Sequence, residues 1–214
     1  MTQILVFGDS IVWGAWDSEG GWVDQLKKIT NEKNEKWFED QKFWCEVYNL
    51  GVDGNNSDKV IKRLEPETKA RDYDDEENII IFSVGLNDSF FVKSKKDNIV
   101  PKERFEKNVQ RLIDIAGKIS IKTIFIGITP VDESKTNPVL WDPDTSNSNE
   151  TITAYENILK KICKKNKVDF VEVNEQFMKA GHTKLLKDGV HPNTEGHKII
   201  FERVRTFLEE KGII

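Results

Sequence analysis

Five short apolar runs, separated by longer stretches with helical spacing, constrain the fold of this 214-residue chain more than any other feature. The runs are rich in Ile, Val and Phe, and several are almost continuously apolar, as in strands that are buried on both faces. The runs span residues 4–7, 45–50, 79–84, 123–128 and 168–173, and the helical stretches span 22–33, 57–70, 102–119, 151–165 and 194–210. This alternation predicts one α/β domain over residues 1–214, with a parallel sheet covered by helices on both faces.

Local signals add detail to this pattern. Ser57 and Asn193 each open a helical stretch, so we expect both to be helix N-caps. Residues 31–43 predict a helix end and a connection. The loop at about 130–150 contains Pro138, Trp141 and Pro143. Loops of this length in a compact domain are usually lids, binding loops or mobile segments.

Composition limits the possible partners. The chain has 32 Lys and Arg against 37 Asp and Glu, a net charge of −5. Because nucleic-acid binding needs a basic surface, we expect no nucleic-acid partner. Cys45 and Cys163 lack the spacing of a metal site, and we expect two reduced core thiols, although a disulfide stays open. No window has the roughly 18 apolar residues of a membrane helix, and the first run is too short for a signal peptide. These features predict a cytoplasmic protein with no membrane insertion.

Three chemically important residues lie at the two ends of the chain. Ser10 closes the triplet Gly8-Asp9-Ser10 after the first run, and Asp188 and His191 lie three residues apart in Asp188-Gly189-Val190-His191-Pro192. A hydroxyl, an imidazole and a carboxylate are the groups that a serine hydrolase needs. Each also has a structural interpretation: Ser10 as a helix N-cap, and the second segment as a capped turn with an exposed histidine.

His191 is the best candidate base among the three histidines. His197 lies in the last helical stretch, where we expect a surface or interhelical residue, and His182 has no carboxylate within three positions. A carboxylate at Asp188 can accept from Nδ1 of His191 and leave Nε2 free to face the serine.

Two further residues could stabilise an oxyanion. Asn87, in Gly85-Leu86-Asn87-Asp88, follows the third run and could donate from its side-chain amide. Gly51 follows the second run and could donate from its backbone. Both residue types are also ordinary turn formers. Asp9 puts a negative charge where a phosphate group would need donors, so we expect no cofactor, and we expect no metal.

Taken together, these motif blocks resemble those of the SGNH/GDSL hydrolase superfamily. The resemblance implies a flavodoxin-like three-layer αβα sandwich with a five-stranded parallel sheet in the order 2-1-3-4-5. It implies Ser10 as nucleophile, His191 as base and Asp188 as the group that orients it. It further implies an oxyanion hole formed by the Ser10 N–H, the Gly51 N–H and the Asn87 side chain, with Asp88 as a brace. Ile11 replaces the leucine of the family's Gly-Asp-Ser-Leu motif.

We therefore expect a serine esterase that hydrolyses small or short-acyl carboxylic esters through an acyl-enzyme on Ser10. Three alternatives stay open: an acyltransferase, a carbohydrate O-acetylesterase, and a catalytically silent binding module on the same scaffold. Four tryptophans could line the pocket or pack in the core, and core packing is favoured for Trp22; they are Trp13, Trp16, Trp22 and Trp141. The sequence leaves the oligomeric state open.

Overall fold

A five-stranded, all-parallel sheet forms the centre of the protein. The structure, a computed structural model, describes residues 1–71 and 77–214. The strands of this sheet are β1 (Thr2–Gly8), β2 (Cys45–Gly51), β3 (Glu77–Phe82), β6 (Lys122–Ile126) and β8 (Asp169–Val171). They lie in the order β2-β1-β3-β6-β8. Counting these five strands alone, the order is 2-1-3-4-5, which confirms the predicted topology.

Helices cover the sheet on both sides. α2 packs against α9 on one side, and α6 packs against both α4 and α7 on the other, which gives the three layers. The helices are α1 (Ser10–Trp13), α2 (Gly21–Asn34), α3 (Trp37–Asp40), α4 (Ser57–Lys69), α5 (Leu86–Ser89), α6 (Lys102–Ile119), α7 (Asn149–Asn166), α8 (Asn174–Lys179) and α9 (Thr194–Glu210), with a 3-10 turn at His182–Leu185.

The two predicted helix caps have different outcomes. Asn193 caps α9, because its side chain accepts from the Gly196 N–H at 3.0 Å. Ser57 is not the cap of α4: that residue is Asn56, whose side chain accepts from the Lys59 N–H at 3.1 Å. The prediction for Ser57 was wrong by one position because its hydroxyl donates to a buried carboxylate of another segment, Asp88.

The core lies on both faces of the central strands. All four side chains from Ile4 to Phe7 are fully buried, which explains why this run is apolar without alternation. Trp22 is also fully buried, so the core interpretation holds for it. Cys45 and Cys163 are free thiols, and burial raises the pKa of each to about 12.

The loop predicted at about 130–150 is a folded segment. Its end forms β7 (Thr145–Ser146), which pairs with β4 (Phe91–Val92) and, through it, with β5 (Asp97–Asn98) in a small antiparallel sheet. Further along the loop, the Asn147 N–H donates to the Thr136 carbonyl at 2.9 Å. This segment therefore has a defined path over the carboxyl edge of the large sheet.

None of the helices in the described ranges is both long enough and apolar enough to span a bilayer. The cytoplasmic location stays a prediction.

Candidate active site

Ser10, His191 and Asp188 meet at one point, although 181 positions of sequence separate the first two. The Ser10 Oγ lies 3.0 Å from Nε2 of His191, and Nδ1 of His191 lies 2.6 Å from Oδ2 of Asp188. Ser10 is 4% exposed and His191 is 8% exposed. The hydroxyl can therefore donate to an imidazole that is held on its far side by a carboxylate.

Asp188 carries its negative charge under dense hydrogen bonding. Oδ1 accepts from the backbone N–H groups of Val190 at 3.0 Å and His191 at 2.8 Å. Burial alone would raise the pKa of Asp188, but the bonds from the His191 side chain and these backbone groups outweigh it and hold that pKa below its usual value. The carboxylate therefore stays ionised beside His191.

The turn that carries this pair is fixed by the long loop. Gly189 has φ +96°, and a side chain there would lie 2.7 Å from the Cβ of Lys135. The Asp132 N–H donates to the Gly189 carbonyl at 2.8 Å. Two independent features therefore require glycine at position 189: its positive φ and the close approach of the loop.

Ser10 is the first residue of α1, and Asp9 is the N-cap. The Asp9 Oδ1 accepts from the Ile11 N–H at 2.9 Å. The capping interpretation of Ser10 is thus wrong, and its hydroxyl is left for His191. Gly8 allows this tight turn, because a Cβ there would lie 2.3 Å from the Val12 side chain.

The Asn87 amide lies beside the turn that carries Asp9 and Ser10, as its position after β3 predicts. Its Nδ2 donates to Asp9 Oδ2 at 3.0 Å and to the Asn55 carbonyl at 3.1 Å. Both amide hydrogens therefore have protein acceptors. Burial raises the pKa of Asp9 to about 6, even though hydrogen bonds from Ile11 and Asn87 and the charge of His191 lower it.

Asp88 ties the Asn87 turn to α4. It is fully buried and accepts from the Gly85 N–H at 3.1 Å and from the backbone and hydroxyl of Ser57. Burial raises the pKa of Asp88 to about 7 against these hydrogen bonds. The bonds on both sides are those of a brace between two segments.

The Gly51 N–H, expected to be an oxyanion donor, already has an acceptor within the protein. It donates to Asn49 Oδ1 at 3.0 Å, and a Cβ added to Gly51 would lie 2.1 Å from the Trp13 backbone nitrogen. The close approach of α1 thus explains the glycine without any oxyanion. A second glycine, Gly54, lies next to Asn55, has φ +63° and leaves open space where a Cβ would be.

Two tryptophans flank His191. The rings of Trp16 and Trp141 each lie 5.7 Å from the imidazole, and both side chains are 54% exposed. Trp13 packs edge-on against Trp16 at 6.2 Å. The sequence named these residues as candidates but gave no signal for their contact with His191, since Trp141 arrives from the folded loop.

The remaining two histidines, His197 and His182, have other surroundings than His191. His197 is fully buried, with Nε2 3.2 Å from the Ala15 carbonyl, so its interhelical interpretation holds and its surface interpretation was wrong. Burial lowers the pKa of His197. His182 lies in the 3-10 turn. Within residues 1–71 and 77–214, no three or more His, Cys, Asp or Glu side chains gather as a metal site would require.

The chain is similar to known ester hydrolases in sequence and in fold. The model of the GDSL-like Lipase/Acylhydrolase family matches residues 6–199. An isoamyl acetate-hydrolyzing esterase of Saccharomyces cerevisiae is 27% identical, over 97% of this chain and 86% of that protein. The structure of a lipase/acylhydrolase from Enterococcus faecalis superposes with a TM-score of 0.74 at 19% identity, over 99% of this chain and 97% of that one. An acetylxylan esterase from Geobacillus stearothermophilus superposes with a TM-score of 0.68 at 20% identity, over 97% and 93%.

The family match extends over the Gly-Asp-Ser triplet, the Asn87 turn and the Asp188–His191 pair. Sequence, fold and family match therefore agree with the resemblance that the motif blocks carried. The chain belongs to the GDSL-like lipase/acylhydrolase family and is a carboxylic ester hydrolase.

Proposed function

We propose that the protein is a serine esterase that hydrolyses short-acyl esters through an acyl-enzyme on Ser10. The observation that carries the proposal is the continuous contact from Ser10 Oγ to His191 Nε2, at 3.0 Å, and from His191 Nδ1 to Asp188 Oδ2, at 2.6 Å. A hydroxyl becomes a nucleophile when an adjacent base takes its proton, and the base needs a third group to orient it.

The reaction then runs in two halves. Ser10 Oγ attacks the ester carbonyl while its proton passes to His191 Nε2, and Asp188 stabilises the imidazolium that forms. The tetrahedral intermediate collapses when His191 protonates the leaving alcohol. Water, activated by His191, attacks the acyl-enzyme in the same way and releases the acid.

The oxyanion of each intermediate needs preorganised donors. We assign this role to the Ser10 N–H and the Asn87 amide, which would give up or share one of its bonds to Asp9 and Asn55. For the second backbone donor, Gly51 stays a candidate, but its N–H already bonds to Asn49. Gly54 is the competing candidate because its neighbour Asn55 contacts the Asn87 amide.

Two observations support the assignment of a substrate class. Isoamyl acetate and acetylxylan, in the names of two proteins that this chain resembles, share an acetyl group. His191 must reach the oxygen of the leaving alcohol, so the alcohol lies near the two indole rings that flank this histidine. We infer a small acyl group and an alcohol with a flat apolar face, such as an aryl group or a sugar ring.

A series of p-nitrophenyl esters tests the acyl part of this proposal. We expect kcat/KM to be highest for acetate or propionate, and Ser10→Ala to abolish turnover while the melting temperature stays close to that of the wild type. A maximum at long acyl chains would contradict the short-acyl assignment. Substantial activity in Ser10→Ala would contradict the nucleophile.

A further inference from the structure

Trp16 makes a hydrogen bond that the proposed mechanism does not use. Its indole Nε1 donates to Oδ2 of Asp188 at 3.2 Å, across 172 positions of sequence. This oxygen also accepts from His191 Nδ1. The Nδ1–H of His191 and the indole N–H of Trp16 thus share one acceptor atom, Oδ2 of Asp188.

The other donors to Asp188 are all local. Val190 and His191 supply them from the same short turn, within three residues of the carboxylate. Across residues 1–71 and 77–214, the bond from Trp16 is the only hydrogen bond to this carboxylate that begins on the segment that carries Ser10. It therefore links the two halves of the site independently of the contact between Ser10 and His191.

The backbone around Trp16 is anchored to the nucleophile turn. The N–H groups of Gly14 and Ala15 both donate to the Ser10 carbonyl, at 3.0 and 2.9 Å. The Ala15 carbonyl in turn lies 3.2 Å from Nε2 of the fully buried His197. A movement of the Trp16 backbone away from Ser10 would have to break these bonds. The position of the indole N–H, and of the Asp188 carboxylate bonded to it, therefore depends on the position of Ser10.

We propose that Trp16 is a positioning residue of the catalytic site, which sets the Asp188 carboxylate, and through it His191, relative to Ser10. The inference rests on the proposed esterase function. Trp16 does not exchange a proton with the substrate in this account. Its ring is half exposed at the rim beside His191, so a bound alcohol would also shield the indole–carboxylate bond from water and strengthen it.

The test removes the indole N–H and keeps an aromatic ring at this position. In Trp16→Phe we expect kcat to fall about 3- to 10-fold with a smaller change in KM, since one hydrogen bond to a charged group is lost. Replacement of Trp16 by benzothienylalanine, which has the shape of tryptophan without the N–H, should give the same loss. Trp13→Phe is the matched control, because Trp13 is about equally exposed in the same aromatic cluster and, within the described residues, makes no hydrogen bond to Ser10, Asp188 or His191. We expect a smaller fall in kcat for this variant.

A double-mutant cycle separates positioning from a direct effect on substrate. If Trp16 acts through Asp188, Trp16→Phe should cost almost nothing in an Asp188→Ala background. An equal loss in both backgrounds, or no loss from benzothienylalanine in the wild-type background, would overturn the inference.

A substrate-independent measurement keeps the inference separate from the proposed function. Failure of the wild-type protein to hydrolyse any ester would refute the function alone. The proton resonance of His191 Nδ1, observed by NMR in the full chain, would still decide the role of Trp16. A change in this resonance on removal of the indole N–H supports positioning, and an unchanged resonance contradicts it.

Discussion

Asn87 has both amide hydrogens engaged, by Asp9 and by the Asn55 carbonyl. A developing oxyanion must compete with these acceptors, and the charge that forms in the transition state favours the exchange. We expect Asn87→Ala to lower kcat on p-nitrophenyl acetate by on the order of 10²- to 10³-fold, the usual cost of one oxyanion donor. A loss below about threefold would remove Asn87 from the oxyanion hole.

Asp9 is expected to act on catalysis through Asn87. In Asp9→Asn, one oxygen can still cap α1, but an NH2 group then faces the Asn87 amide and repels it. We predict a fall in kcat of about tenfold, and little further loss in an Asn87→Ala background, since the two groups form one unit. Asp53→Asn, at an exposed position, is the control and should retain full activity. Additive losses for Asp9 and Asn87 would show that Asp9 acts by another route.

At the scale of the elements, Asp88 couples stability to pH. Burial raises the pKa of Asp88 to about 7, above its value of about 4 in an unfolded chain. The folded state therefore binds this proton more tightly. The stability that Asp88 contributes is complete below about pH 4 and is lost as the pH rises through 7.

We expect the free energy of unfolding to fall between pH 4 and 7 by up to about 1.4 kcal/mol per pH unit from this group. Asp9, with a pKa of about 6, acts in the same direction. Asp188 acts in the opposite direction and below this range, because its stabilising effect is complete above about pH 4 and is lost as the pH falls through its lowered pKa. Denaturant titrations at several pH values measure the slope, and it should be shallower in Asp88→Asn. An identical slope in the wild type and the variant would contradict the account.

The helices and strands themselves could be predicted from periodicity. Their exact first and last residues depend on local hydrogen bonds. The α9 stretch from 194 to 210 agrees with the structure at both ends, because Asn193 is a clear cap. Its Oδ1 accepts from the Gly196 N–H, and its other bond, from Nδ2 to the Lys184 carbonyl, leaves that oxygen free to cap. At α4 the cap is Asn56 instead of Ser57, since a carboxylate 31 positions away holds the serine. A contact between residues 31 positions apart cannot be predicted from the local sequence pattern around a helix start.

At the scale of the whole molecule, one contiguous core connects the sheet to helices from both layers. We propose that residues 1–214 unfold as one unit. Calorimetry should then give a single transition with equal calorimetric and van't Hoff enthalpies. Two resolved transitions would show that part of the chain, such as the small sheet with β7, unfolds separately.

The contact between Ser10 and His191 could be predicted because chain topology brings the ends of parallel strands to one edge of the sheet. The catalytic roles of the two residues stay a prediction. The contacts that other side chains make with these residues could not be predicted from the sequence. The link from Trp16 to Asp188 depends on side-chain direction, and the position of Trp141 depends on the path of a loop that has little periodicity. The position of Gly51 after an apolar run indicates an oxyanion donor, yet in the structure a Cβ there would lie 2.1 Å from the backbone nitrogen of Trp13 in α1.

The central claim is that Ser10 is a nucleophile activated by His191 and Asp188, and covalent labelling tests it most directly. The folded protein is treated with a fluorophosphonate, and the modified residue is located by mass spectrometry of its peptides. We predict one adduct, on Ser10, that forms far more slowly in His191→Ala. An adduct on another residue, or no adduct on the folded wild-type protein, would contradict the claim.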